Sequence, residues 1–180
     1  MRTILLGLVI LLVGSCATSG GPAKGSWRAG DRAYLAHGVW VGAAAWTPAN
    51  FEDGEFVPAN TAVRIVSIAA PCGVLETEGG RRIELCNDAL ESGVALDALL
   101  ARMLGRRPVD VDDSDFAEDI AAGRLRLGMT REEVVLTRGW PSKRRTASLD
   151  AGVWEFAYNP WASRRIEFAD GRVVAGRGVF

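Results

Sequence analysis

A short helix has both of its ends specified within residues 128–141, GMTREEVVLTRGWP. Thr130 is a favoured N-cap residue, and Glu133 stands three positions later, which is the spacing of a capping box. Gly139 follows the last apolar position and tolerates the positive φ at which many helices end. The sequence therefore predicts a helix over residues 131–138.

Two apolar residues and a proline support this helix. Met129, just before the cap, and Val134, in the first turn, occupy the two positions of a hydrophobic staple. Pro141 cannot continue a helix because it has no amide hydrogen and its ring clashes with the preceding turn. The chain must therefore leave the helix before this proline.

A second helix is expected upstream, over residues 115–122. Phe116 and Ile120 are spaced to face the core together, and Gly123 provides a stop. The acidic residues around its start suit the positive end of a helix. A calcium-binding loop would need glycine where Asp115 stands, so a solvated acidic linker is the favoured interpretation.

Strands are predicted after the helix at residues 131–138. Residues 152–158 alternate, which places Trp154, Phe156 and Tyr158 on one face. Residues 164–169 likewise place Ile166 and Phe168 on one face, so both segments are predicted to be β-strands.

The Asp-Gly dipeptide at 170–171 is a strong signal for a two-residue hairpin turn. Pairing about this turn sets Phe168 opposite Val173 and Ile166 opposite Ala175. One apolar face then continues across both strands.

The pattern GMT-x-x-x-V-x-x-x-x-G-x-P at 128–141 resembles the signature of the small bacterial outer-membrane lipoproteins called BamE, or SmpA/OmlA. The resemblance continues into the aromatic strands and the closing hairpin, and it implies two helices and a three-stranded antiparallel sheet at residues 110–180. In that family the domain contacts protein partners and phospholipid. The structural residues of the motif are Gly128, Thr130, Glu133, Gly139 and Pro141.

The part of the chain before this domain is rich in strand signals. Residues 61–69, TAVRIVSIA, are dominated by β-branched and apolar side chains. Residues 74–76 and 82–85 flank two glycines at 79–80 and indicate a hairpin. Several short strands within residues 27–87 predict a small barrel of the SH3-like kind, so the whole chain is expected to be α+β.

The register of this hairpin predicts a disulfide. With Gly79 at the centre of the turn, three pairs of residues face each other: Cys72 with Cys86, Leu75 with Ile83, and Glu76 with Arg82. A two-residue turn would instead set Cys72 against Asn87. Because export leads to an oxidising compartment, we predict a bridge between Cys72 and Cys86, with free core thiols as the alternative.

A helix is expected at the end of this N-terminal module. Its apolar residues recur at helical spacing, with Ser92 as a possible cap and Gly105 as the stop. The apolar residues are Leu96, Leu99, Leu100, Met103 and Leu104. We therefore place one module at residues 27–109 and the BamE-like module at residues 110–180.

The first residues have the features of a lipoprotein signal. Residues 1–15 contain Arg2 and a short apolar run, and Val13-Gly14-Ser15-Cys16 resembles a lipobox. Acylation of Cys16 would anchor the chain in the outer membrane, facing the periplasm, and residues 16–26 would form a flexible tether. The alternative is an ordinary secretory signal with an unrelated cysteine.

The sequence offers no catalytic motif, metal site or cofactor site. The formal net charge is −1, which gives no electrostatic basis for nucleic-acid binding. The single histidine, His37, has neither a triad pattern nor metal-ligating neighbours at standard spacing. No phosphate-binding or dinucleotide-binding glycine motif is present, and no small-molecule substrate is indicated. We therefore expect a protein that is not an enzyme.

Trp140 and Trp161 stand in predicted loops, beside Pro141 and Pro160. Loop tryptophans are enriched at protein interfaces, so both are candidate partner contacts. The alternative is that each covers an edge of the sheet.

The signal features predict an outer-membrane lipoprotein. The resemblance to the BamE family implies a structural or accessory factor in the assembly of β-barrel outer-membrane proteins or in envelope maintenance. One alternative is a periplasmic module that binds cell wall or peptide, which should show clustered aromatic and polar groups on one face of residues 27–87. Another is an inhibitor-like lipoprotein that blocks an envelope enzyme. A hydrolase is the last alternative, although the sequence shows no motif for one.

Overall fold

The computed structural model describes residues 27–180. The predicted signal peptide at 1–15, the lipidation site at Cys16 and the tether at 16–26 lie outside the described residues. Curled antiparallel sheets and a few short helices make up the described part, which is compatible with the predicted α+β class.

The N-terminal module, residues 27–109, is mostly antiparallel sheet. Five strands form one sheet in the order β6-β5-β4-β1-β7, and β2 pairs with β3 in a separate ladder. Its elements are β1 (Arg32–Leu35), β2 (Val39–Val41), β3 (Glu55–Val57), β4 (Ala62–Ala69), β5 (Cys72–Thr77), β6 (Arg82–Cys86), α1 (Ala89–Ser92), α2 (Leu96–Met103) and β7 (Leu104–Gly105).

Alternating side chains decide which face of this sheet is buried. In β4, Val63 and Ile65 are buried, while Arg64 between them is exposed. The same alternation in the other strands supplies one hydrophobic core, against which Trp46 and the apolar face of α2 pack. A register shift between Ile65 and Ser67 interrupts the β4–β5 pairing, and such bulges bend a sheet.

The predicted hairpin and its disulfide are confirmed. Cys72 pairs with Cys86, and the other two predicted pairs, Leu75 with Ile83 and Glu76 with Arg82, are also present. The two cysteines are bonded, with their Cα atoms 4.1 Å apart.

The helix before the linker is confirmed, but both of its predicted ends are wrong. Helix α2 buries Leu96, Leu99, Leu100 and Met103, yet its N-cap is Ala95, which makes no side-chain cap. Ser92 instead ends α1, where its hydroxyl bonds the backbone of Val94. Gly105 does not stop the helix, because Leu104 and Gly105 already form β7 beside β1.

The C-terminal module, residues 110–180, places two helices before a three-stranded sheet of order β10-β9-β8. Its elements are α3 (Ala117–Ala121), α4 (Arg131–Arg138), β8 (Val153–Asn159), β9 (Ala162–Ala169) and β10 (Arg172–Gly176). Ile120 of α3 and Val134 of α4 join the sheet's Trp154, Ile166 and Val173 in a second core.

Helix α4 has the bounds and the cap that the sequence predicts. The amide of Thr130 donates to Glu133 Oε2 at 2.7 Å, and the amide of Glu133 donates to Thr130 Oγ1 at 3.2 Å. Both staple residues, Met129 and Val134, are fully buried in the second core. Gly139 follows the helix with φ 77°.

Bulges change the predicted register of the C-terminal strands. Phe168 does pair with Val173 across the turn, but Ile166 pairs with Gly176 and not with Ala175, because the register shifts after Val173. A second shift follows Ala157, so that Ala157 is buried, whereas the aromatic ring predicted for that face, Tyr158, is 38% exposed. Both irregularities involve one extra residue in a strand.

The chain leaves the N-terminal module close to where the described residues begin. The Arg106 guanidinium lies 4.3 Å from the centroid of the Trp27 ring and 3.3 Å from an oxygen of Asp31. Beyond it, Val109 is held by Asn60, whose side chain bonds both the amide and the carbonyl of Val109 at 2.7 and 2.8 Å. The predicted boundary between 109 and 110 falls directly after this contact.

Candidate functional site

The turn between β1 and β2 rests on the end of α4, and this contact begins the junction between the modules. The amide of Gly38 donates to the carbonyl of Leu136 at 2.9 Å. A side chain at Gly38 would collide with Phe56 and with the backbone of Thr137. Glycine is required here because two backbones and an aromatic ring approach closely.

Asn50 connects this turn to α4 with all of its side-chain hydrogen-bonding groups. Its Oδ1 accepts from the Trp40 amide at 2.9 Å and from Trp46 Nε1 at 2.8 Å. Its Nδ2 donates to the carbonyls of Gly38 at 3.2 Å and Arg138 at 2.8 Å. The residue is 6% exposed and has φ 45°, a conformation that asparagine tolerates better than most residues.

An ion triad lies beside Asn50, in which the side chains of Arg138, Glu52 and Arg164 are 5%, 12% and 28% exposed. Arg138, in the last turn of α4, contacts the Glu52 carboxylate at 2.6 Å, and Arg164 of β9 contacts the same carboxylate at 3.1 Å. Burial lowers the pKa of Arg138, and the Glu52 carboxylate offsets part of that effect. Glu52 comes from the loop between β2 and β3, so the triad joins the two modules electrostatically.

Glu91 makes the third contact between the modules. The hydroxyl of Ser142 donates to one carboxylate oxygen of Glu91, and the guanidinium of Arg144 lies 3.3 Å from the other. The amide of Lys143 donates to the backbone carbonyl of Glu91 at 2.9 Å. These bonds hold the segment after α4 against the end of α1.

A cleft of about 310 Å³ lies between these contacts, which is within the size range of small-molecule sites. Both modules contribute to its walls, and its side chains are aromatic, apolar and charged. Those used below are His37, Trp46, Leu99, Arg102, Trp140, Lys143 and Leu149. Pro141 and Gly139 of the sequence motif also line it.

His37 lies at this cleft with its ring buried. It is 4% exposed, and its Nδ1 lies 3.0 Å from the carbonyl of Gly38, so Nδ1 carries a proton and donates to that carbonyl. Burial lowers the pKa of His37, and the bond to Gly38 offsets this in part. A Cβ atom at Gly139 would stand 2.9 Å from the ring. The histidine therefore belongs to the module junction, a position that its sequence context does not reveal.

The two candidate interface tryptophans have different environments. Trp140 follows α4, is 38% exposed, and has the Arg102 guanidinium 5.8 Å from its ring centroid, at the mouth of the cleft. Trp161 is 93% exposed at the two-residue turn between β8 and β9. The Asn159 side chain braces that turn by accepting from the amides of Trp161 and Ala162 at 2.9 and 2.8 Å. The structure does not bring the two tryptophans into one contact.

The remaining motif residue, Gly128, joins the helix cap to the sheet. Its φ is 89°, its amide donates to the carbonyl of Val173, and its carbonyl accepts from Arg172 Nη1, each at 2.8 Å. The motif is therefore a structural unit that holds α4 against β10. It also places residues 139–141 at the cleft.

Sequence reasoning did not single out Asn50, Glu52, Glu91 or Arg138. Asn50 has a weak local signal, since asparagine two residues after Pro48 suits a turn with positive φ. The others are surface-type charges in sequence, and only the meeting of distant segments buries them. Periodicity carries no information about such a meeting.

The aromatic pair of the N-terminal module also faces the junction. Trp40 and Phe56 have ring centroids 5.2 Å apart, and Arg138 lies 5.9 Å from the Trp40 ring. A side chain at Gly123, after α3, would contact Phe56 at 2.9 Å. These aromatics are therefore engaged with the C-terminal module, whereas a wall-binding groove would present them to solvent.

Within residues 27–180, no group of three or more histidine, cysteine or acidic side chains is placed to hold a metal ion. No helix in this part of the chain is long and apolar enough to cross a membrane. Comparison of the chain with protein-family models, curated proteins and solved structures finds no match in any of the three.

Proposed function

We propose that the chain is a lipoprotein of the outer membrane, anchored through Cys16 and facing the periplasm. Residues 27–109 would be an SH3-like module and residues 110–180 a BamE-like module. Its role would be that of a structural or accessory factor in assembling β-barrel outer-membrane proteins or in maintaining the envelope. It would act by binding a protein partner and would not be an enzyme.

The observation that carries this proposal is the exposure of Trp161. A tryptophan that is 93% exposed leaves most of a large apolar ring in water, which is unfavourable unless a partner covers it. The bracing of its turn by Asn159 presents the ring on a rigid support, so little conformational entropy is lost on binding. Trp and Tyr anchors of this kind dominate the binding energy of many interfaces.

Two further features support a location in the envelope. The disulfide between Cys72 and Cys86 is typical of exported proteins, because the cytosol keeps thiols reduced. The motif that resembles the BamE family forms a capped helix on a three-stranded antiparallel sheet, as that resemblance implies.

Site-specific photo-crosslinking in the native membrane tests the proposed partner. A photoreactive phenylalanine analogue at position 161 should crosslink to subunits of the barrel-assembly machinery. The same analogue at Leu90, which is 70% exposed in the N-terminal module, is the matched control and should not give those products. Trp161→Ala should weaken co-purification of the same subunits, while Trp161→Phe should retain most of it.

The outcomes separate the proposal from its alternatives. Recovery of wall fragments from position 161 would favour the cell-wall module, and recovery of one envelope enzyme would favour the inhibitor. Identical products from positions 161 and 90 would contradict a docking role for the hairpin. Cys16→Ser tests the anchor separately, because it should leave unprocessed or soluble protein, whereas an unmodified mature N-terminus by mass spectrometry would exclude lipidation.

A further inference from the structure

We propose that the cleft between the modules binds a small organic acid, with a carboxylate at its mouth and an apolar body inside. This site lies apart from the hairpin of Trp161, and the proposal does not depend on the function proposed above. The inference rests on the walls of the cleft, on its charges and on the apolar surface that remains exposed there.

The walls suit a flat or branched apolar group. Trp46 and Leu99 are each 5% exposed and form an apolar wall from the N-terminal module. Trp140 and Leu149, on the C-terminal module, are 38% and 45% exposed. An apolar ligand between the two walls would remove this surface from water, which is the main favourable term in binding such groups.

The charges select an anion. Two of the four charged residues that line the cleft already have partners, since Glu91 contacts Arg144 and Arg138 contacts Glu52. Among the ion pairs of residues 27–180, none involves the other two, Arg102 and Lys143. The cleft therefore has two uncompensated cations.

Both cationic side chains pass close to the end of α1. Arg102 Nη1 donates to the carbonyl of Ser92 at 3.2 Å, and the stem of Lys143 lies against the next residue, Gly93. The other guanidinium donors of Arg102 remain to bind a carboxylate, for which the planar fork of arginine is well suited. Lys143 adds a second positive charge, so a monoanion is favoured over a neutral or cationic ligand.

Equilibrium dialysis of the full chain in detergent tests this with named probes. Benzoate, 2-naphthoate and indole-3-acetate are each compared with the corresponding primary amide, which has nearly the same shape without the charge. We expect at least one acid to bind with a Kd below about 1 mM and at least tenfold more tightly than its amide. The proposal is overturned if no acid binds at this level, or if acids and amides bind equally.

Substitutions locate the binding. Arg102→Gln and Lys143→Gln should each weaken the acid about tenfold and leave the amide unchanged. The affinity of Arg102→Lys for the acid should lie between those of Arg102→Gln and the parent chain, because lysine keeps the charge and loses the planar fork. Arg177→Gln removes an exposed cation outside the cleft and should change nothing. Equal losses in Arg177→Gln and Arg102→Gln would show nonspecific attraction and would refute the site. All three side chains are exposed, so native circular dichroism is expected for each of the four variants.

Discussion

Four hydrogen bonds converge on the side chain of Asn50, and through them a loop of the N-terminal module holds the end of α4. An asparagine is suited to this place for two reasons. Its amide offers an acceptor and two donors on one planar group, and its backbone tolerates the φ of 45°. No other natural side chain of this size combines both properties.

Asn50→Ala should destabilise the protein by about 3 kcal/mol, because the Trp40 amide, Trp46 Nε1 and the Arg138 carbonyl would be buried without partners. Asn50→Gly loses the same bonds but tolerates the positive φ, so the difference between the two variants reports backbone strain. Urea unfolding monitored by circular dichroism measures both values. Stability within about 0.5 kcal/mol of the parent for both variants would contradict the role of Asn50.

His37 should give the protein a pH dependence near neutrality. Because burial lowers its pKa in the folded state, the unfolded chain takes up a proton first as the pH falls through the ordinary value of 6.5. The free energy of unfolding should therefore decrease below about pH 6.5 and level off once the pH passes the lower pKa of the folded state.

His37→Gln should remove this decrease, since glutamine carries no titratable group. Comparing unfolding of the two proteins between about pH 8 and pH 5.5 isolates the histidine, because carboxylates with lowered pKa, such as Asp119, titrate at lower pH. If the stability of the parent protein does not change across this range, His37 has the same pKa in the folded protein as in the unfolded chain.

At the scale of single elements, α4 shows that a local sequence pattern can determine the start, the end and the packing of a helix. Its cap, bounds and staple follow from residues within one turn of each other. Burial alone would raise the pKa of Glu133, but hydrogen bonds from Ser114 Oγ and from the amide and hydroxyl of Thr130 outweigh it, and the pKa is lowered. The carboxylate therefore stays charged at the positive end of the helix.

Thr130→Ala should cost about 0.5–2 kcal/mol, because the Glu133 amide loses its acceptor. Thr130→Ser keeps the hydroxyl and should cost much less. Denaturant unfolding compares the two, and equal losses would mean that the hydroxyl does not cap the helix in solution.

The β5–β6 hairpin is closed by its disulfide, whose cysteines are 14 residues apart. Reduction should lower the stability by about 3 kcal/mol, since the unfolded chain regains the entropy of an open loop. The loss should be greater for the N-terminal module than for the C-terminal module. Two alkylatable thiols in the unreduced, denatured protein would exclude the bridge.

These elements also show where prediction from sequence stops. The β5–β6 register is correct because a turn and three matched pairs determine it within a few residues. The predicted pairing of Ile166 with Ala175 is wrong because a bulge of one residue changes the register of every pair beyond it. Nothing in the alternation of side chains marks that bulge. Gly105 was expected to end a helix, but pairing with β1, a strand distant in sequence, determines its conformation.

The whole molecule depends on contacts that no local pattern encodes. Asn50 and Arg138 are 88 residues apart, and Glu52 receives arginines from both α4 and β9. The candidate cleft was therefore not predicted. The sequence marked Gly139 and Pro141 as structural residues and Trp140 as a partner contact, and only the structure brings them to the cleft. The fold class was predictable from periodicity and turns, whereas the site was not.

Glu52→Gln tests the junction, because it leaves Arg138 buried without its counter-charge. The cost should be about 3–5 kcal/mol, as for other broken buried pairs. Glu76→Gln, which breaks the exposed pair with Arg64, is the control and should cost at most about 1 kcal/mol. Replacing Glu52 by Leu and Arg138 by Met in one variant should recover part of the lost stability. Equal losses of stability in Glu52→Gln and Glu76→Gln would contradict burial of the Arg138–Glu52 pair.

The closeness of Trp27 and Arg106 has a mechanical consequence. A pulling force applied between residue 27 and the segment after Arg106 acts on two chain ends that leave the N-terminal module side by side. Strands β1 and β7 are antiparallel, with Tyr34 paired to Gly105 and Leu35 to Leu104, so tension loads these two pairs one after the other. Strands loaded in this unzipping direction yield at lower force than strands that share the load. The linker should therefore lengthen by peeling away β7 before tension reaches the rest of the sheet.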